Sequence, residues 1–145
     1  MRNLALLFSI IVFFSFCKKK QTDREKIDAY ITANNLKGNY TSSGLYFVVD
    51  VPGTGGNPAL ANTVKVEYTG YLLDGTHFDA TEVGKPIEFG LSQVILGWQE
   101  GIPKFQKGGK GKLIIPSALG YGSSSAGSIP ANSVLVFDVY LVDWK

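Results

Sequence analysis

The sequence predicts an α+β fold, a twisted antiparallel sheet packing its apolar face on one short helix, from three observations. Apolar and polar residues alternate through residues 63–73 and again through 134–144, the period of strands buried on one face. Between those strands only residues 96–105 read as a helix, and Gly97, Gly101 and Pro103 keep it short. The 145-residue chain also carries 17 glycines and 9 phenylalanines, which suits a turn-rich, aromatic-filled sheet. A short helix in the middle of a strand order is the pattern of an α+β domain.

The elements follow in order. Thr22-Asp23-Arg24-Glu25 fits a capping box, with Thr22 as N-cap and Glu25 at the third helical position. Ile27, Tyr30 and Ile31 then recur at helical spacing, so a short extra helix is expected over about residues 23–34, docked on the domain or serving as a stalk. Asn34-Asn35, Gly38 and Ser42-Ser43-Gly44 lead from it as a loop. Residues 45–51 read as a strand closed by Pro52-Gly53-Thr54-Gly55-Gly56. That cluster lacks the Gly-Lys-Ser/Thr ending of a phosphate cradle and is a turn. In residues 63–73, Val64, Val66, Tyr68 and Leu72 face one way, and Lys65, Glu67 and Thr69 the other. Asp74-Gly75 is a turn signal, and residues 86–91 are a short strand. Pro103 should distort the last turn of the central helix. Gly108 to Gly111 reads as a turn, 112–115 as a strand ending at Pro116, and 121–130 as a Gly/Ser-rich loop. Residues 134–144 form the longest strand, with Leu135, Phe137, Val139 and Leu141 on one face.

Composition excludes several classes of function. A net charge of +2 with no basic face argues against nucleic acid as a partner. The lone Cys17 forbids an internal disulfide. The lone His77, read as a solvent-facing turn residue, has no Cys/His cluster around it, so no metal site is expected.

Residues 1–16 read as a signal peptide. Arg2 precedes an uncharged apolar run from Leu4 to Phe16, too short to span a bilayer comfortably. Phe14-Ser15-Phe16-Cys17 resembles a bacterial lipobox, which would lipidate Cys17 and tether the chain to a membrane. Ser15 and Cys17 also fit the small-x-small pair of ordinary cleavage, which would remove the cysteine. The expected organisation is a signal peptide over 1–16, an anchor cysteine, basic stub and helix or linker over 17–43, and one domain over 44–145.

Five blocks in this chain resemble the FKBP family of prolyl isomerases. They are Val66-Glu67-Tyr68-Thr69-Gly70-Tyr71-Leu72 with Asp74-Gly75-Thr76-His77-Phe78-Asp79; Val94-Ile95-Leu96-Gly97-Trp98-Gln99-Glu100-Gly101; Ile114-Ile115-Pro116; Gly120-Tyr121-Gly122; and Ile129-Pro130-Ala131-Asn132-Ser133 running into Leu135-Val136-Phe137-Asp138-Val139. The resemblance implies a sheet wrapped around a short helix with an apolar pocket between them. It implies Tyr68, Phe78, Asp79, Trp98, Tyr121 and Phe137 as catalytic residues, and Phe89, Val94, Ile95 and Ile129 as substrate-binding ones. Trp98 would form the floor, while the Ile95 backbone N–H and the Tyr121 hydroxyl would hold substrate carbonyls. It also implies proline-containing polypeptide clients, macrolide inhibitors and no cofactor. The Ser123-Ser124-Ser125-Ala126-Gly127 loop lacks the large side chains some relatives place there.

Peptidyl-prolyl isomerisation needs no nucleophile. An X-Pro bond turns slowly because amide resonance must be broken, at a barrier of about 18–20 kcal/mol. A dry aromatic site favours the less polar twisted amide, and binding that form best is sufficient for catalysis. Read without the resemblance, Tyr68, Phe89 and Phe137 are also compatible with ordinary core, Trp98 with a helix cap on the sheet and Asp79 with turn chemistry. Three functions are carried forward: an isomerase acting on exported proteins, a non-catalytic chaperone-like binding module, and an envelope lipoprotein scaffold.

Overall fold

The computed structural model describes residues 19–145, so the apolar run and Cys17 lie outside the described residues. Helix α1 (Asp23–Ala33) is followed by strands β1 (Asn39–Tyr40), β2 (Tyr46–Val51), β3 (Thr63–Leu72), β4 (His77–Ala80) and β5 (Ile87–Gly90). Helix α2 (Leu96–Gly101), β6 (Lys110–Ile115) and β7 (Leu135–Trp144) complete the order. The strands form one seven-stranded sheet in the order β1-β2-β6-β7-β3-β4, with β5 also on β3. Every pairing is antiparallel. Strand β3 therefore has β7 along one side and β4 and β5 end to end along the other.

The alternation of apolar residues gives the sheet two buried faces. On the front, Val64, Val66, Leu113, Ile115, Leu135, Phe137, Val139 and Leu141 pack with Trp98, Ile102 and Phe105 of the α2 region. Helix α2 sits close because a Cβ on Gly97 would overlap the Ile115 side chain, and one on Gly101 would stand 2.7 Å from Leu113. On the back, Tyr46, Val48, Ile114, Val134 and Val136 pack on Ile27 of α1, with Tyr30 and Ile31 alongside. The predicted capping box is present: Thr22 Oγ1 accepts from the Glu25 N–H at 3.2 Å, and Glu25 Oε2 accepts from the Thr22 N–H at 2.7 Å. The apolar stripe thus docks on the sheet rather than standing away as a stalk.

The structure corrects several sequence expectations. The central helix ends at Gly101, and Ile102–Lys104 continue as a 3₁₀ turn, because Pro103 has no amide to donate. Lys110 and Gly111 belong to β6, paired with Tyr140 and Val139, and not to a turn. Strand β1 lies in the expected loop, since two residues carry no readable alternation. Strand β3 equals β7 at ten residues, so no single strand is longest. His77 opens β4 instead of sitting in a turn; it is exposed and stacks on Tyr71, with ring centroids 5.6 Å apart.

Candidate functional site

The front face does not close. A cavity of about 550 Å³ opens between the sheet, α2 and the loops at its end. Tyr68, Phe78, Asp79, Phe89, Val94, Ile95, Trp98, Tyr121, Ile129 and Phe137 all line it, so the structure brings every predicted pocket residue together.

Phe78 and Asp79 are neighbours on one strand, and adjacent strand residues ordinarily point to opposite faces. A β-bulge allows both to line the cavity. Tyr71 pairs with His77 and Gly70 with Asp79, leaving Phe78 as the extra residue. Gly70 makes room for it, because a Cβ there would stand 2.6 Å from Phe78 and 2.9 Å from Phe137.

The walls are rings set edge to face. Trp98, 4% exposed, lies 5.0 Å from Tyr68, 5.3 Å from Phe137 and 5.8 Å from Phe89 between ring centroids. Phe78 stands 5.5 Å from Phe137, nearly perpendicular. Such T-shaped contacts contribute about 0.5–1.5 kcal/mol each beyond area burial. The Trp98 indole N–H is buried and has no hydrogen-bond partner among the described residues. An unpaired buried donor costs about 1–3 kcal/mol.

Asp79 is the one carboxylate on the lining. It accepts the Tyr68 hydroxyl at 2.6 Å. Burial, reinforced by this bond, raises the Tyr68 phenol above its usual value, so Tyr68 stays a protonated donor. The polar rim comes from loops. The Ile95 carbonyl accepts from Trp98 and Gln99, which fixes the backbone at the start of α2. Among the described residues, nothing accepts a hydrogen bond from the Ile95 N–H. Gln99 Nε2 donates to the Val94 carbonyl at 2.8 Å, holding the turn that leads into Ile95. Tyr121 is 43% exposed at the rim.

The lining also includes Ala126 and Gly127, from the loop noted for its small side chains, and Gln93 and Ser128, which sequence reasoning missed. Small or polar loop residues have no periodic signal, and only adjacency to Val94 and Ile129 could have pointed to them. No cluster of three or more His, Cys, Asp or Glu is placed to hold a metal among the described residues. The cavity can therefore surround an apolar group with rings and one carboxylate, with hydrogen-bond donors on Trp98, Ile95 and Tyr121.

Comparison with known proteins gives a consistent result. The family model of FKBP-type peptidyl-prolyl cis-trans isomerases matches residues 55–142. The FKBP-type peptidyl-prolyl cis-trans isomerase FkpA of Aeromonas hydrophila is 48% identical over 83% of this chain and 46% of its own length. The outer membrane protein MIP of Legionella longbeachae is 41% identical over 90% of this chain and 58% of its own. The chain thus spans about half the length of these relatives. The crystal structure of FkpA from Escherichia coli superposes with a TM-score of 0.77 at 41% identity, covering 86% of this chain and 59% of that one.

Proposed function

Because the chain belongs to the FKBP-type peptidyl-prolyl cis-trans isomerase family, we propose that its pocket accelerates rotation about X-Pro bonds in polypeptide clients. The observation that carries this reading is the aromatic cavity around Trp98, with Asp79 as its single carboxylate. The proline ring enters between Tyr68, Phe89, Trp98 and Phe137. Phe78, Val94 and Ile129 shed water from the prolyl amide. Without water to stabilise charge separation, the planar amide loses more than the twisted one, and the barrier falls. The Ile95 N–H and the Tyr121 hydroxyl hold the flanking carbonyls. Asp79 orients Tyr68 and supplies a local field; no proton changes hands.

We propose further that residues 1–16 direct export and that Cys17 carries a lipid. The uncharged run before Cys17 supports this, as does a relative named as an outer membrane protein. No helix among the described residues is long and apolar enough to cross a membrane. Mass spectrometry of the mature N-terminus decides it, since a chain starting at Lys18 without lipid refutes the anchor.

A protease-free assay on a short X-Pro peptide tests the main proposal. Turnover that a macrolide inhibits is the expected result. Tight peptide binding without turnover would instead make the domain a chaperone-like binding module.

A further inference from the structure

We propose that Asp23, in the first turn of α1, is a positioning residue for Tyr121 on the opposite side of the sheet edge. The inference rests on the pocket being the isomerase site. Asp23 Oδ2 accepts the Ser117 backbone N–H at 2.8 Å, across 94 residues of sequence. Ser117 opens the 3₁₀ turn Ser117–Leu119, whose N-cap is Pro116 and which has no side-chain cap of its own. The first amides of such a turn need an outside acceptor. Asp23 supplies it from a distant element.

Ser117 is also the base on which Tyr121 stands. Its carbonyl accepts the Gly120 N–H at 3.0 Å and the Gly122 N–H at 2.8 Å, the two residues flanking Tyr121. One peptide unit on either side of Ser117 therefore ties α1 to the loop that delivers the rim hydroxyl. Asp23 is itself held. Lys26 pairs with it at 3.0 Å, and both side chains are partly buried. Ile27, 0% exposed, fixes the helix on the sheet, and Asp28 accepts the Tyr40 hydroxyl at 2.7 Å. Burial opposes ionisation of Asp23, yet hydrogen bonding to Ser117 and the Lys26 ammonium together hold its carboxyl below the usual carboxylate range. A helix-terminal aspartate whose only role was to offset the helix dipole would not need this reach.

Full-length protein carrying Asp23→Ala should show KM for an X-Pro peptide raised about fivefold, with kcat changed less than about twofold. Amide exchange at Gly120 and Gly122 should quicken in step. Asp23→Asn keeps an accepting oxygen and should restore both. Adding Tyr121→Phe should abolish the further effect of Asp23→Ala. Asp28→Ala loosens α1 elsewhere and should leave KM unchanged. The proposal is overturned by additive effects of Asp23→Ala and Tyr121→Phe, or by faster exchange at Ser117 alone with KM unaltered. A wild-type chain without turnover would refute the isomerase reading, and exchange at Gly120 and Gly122 would still decide the role of Asp23.

Discussion

The two faces of the sheet carry helices of opposite quality. On the back, α1 has eleven residues, a reciprocal capping box and buried Ile27. On the front, α2 has six residues, no side-chain cap and two buried glycines. The well-formed helix seals its face with Tyr46, Val48, Ile114, Val134 and Val136. The poor one sits so close to β6 that its short span cannot cover the front, and rings from β3, β5 and β7 are left bordering a void. The closed packing thus lies on one side and the open pocket on the other.

The largest expected effect tests whether the sealed face is separable. Ile114→Ala on the back should destabilise by about 2–5 kcal/mol. Urea denaturation measures this, and turnover per folded molecule should stay near wild type. A proportionate loss of turnover at full folding would mean that the faces are one unit. The front-face counterpart is Phe78→Ala with Asp79→Val. Turnover should fall at least about tenfold, equal to about 1.4 kcal/mol of barrier, with the circular dichroism spectrum intact. Full activity in that folded double variant would turn the pocket walls into ordinary core.

A smaller effect belongs to the capping box. Thr22→Ala should cost about 1 kcal/mol of stability. Its isomerisation rate should match wild type, because Asp23 keeps its bond to Ser117. The smallest effect is that of pH. The rate should be nearly flat around neutrality, since the proposed mechanism uses no general acid or base. Stability should behave differently at high pH. Burial first pushes Tyr30 and Tyr71 on the back face up to about 12, aided for Tyr30 by its hydrogen bond with Tyr71 and for Tyr71 by the Asp138 carboxylate. Both values lie above the ordinary 10.0, so this contribution is complete below pH 10 and is lost as pH climbs towards 12. Equilibrium unfolding across that window measures it.

Legibility followed the length and regularity of each pattern. Helix α1 could be read because Thr22, Glu25 and the Ile27 stripe agree on one start and one face. Strands β3 and β7 could be read because ten residues of alternation leave little room for another period. Strand β4 could not, because the bulge at Phe78 breaks alternation within four residues. The end of α2 was half visible: Pro103 announced a break, but the switch to a 3₁₀ turn depends on packing of Ile102 and Phe105. The pocket walls were legible through a resemblance carried by ordered blocks. The bond from Asp23 to Ser117 was not, because nothing local to either residue signals the other.

Strand β7 lies at the centre of the sheet, between β6 and β3, although it is the last of the described strands in the chain. During synthesis, β3 and β6 cannot be joined until it emerges, although β1–β2, β2–β6 and β3–β4 pairings do not need it. Such topologies fold slowly, because loop closure is needed before the contacts form. A molecule proposed to hasten the folding of others is therefore itself a late folder, whose two partial sheets are joined only when β7 is made.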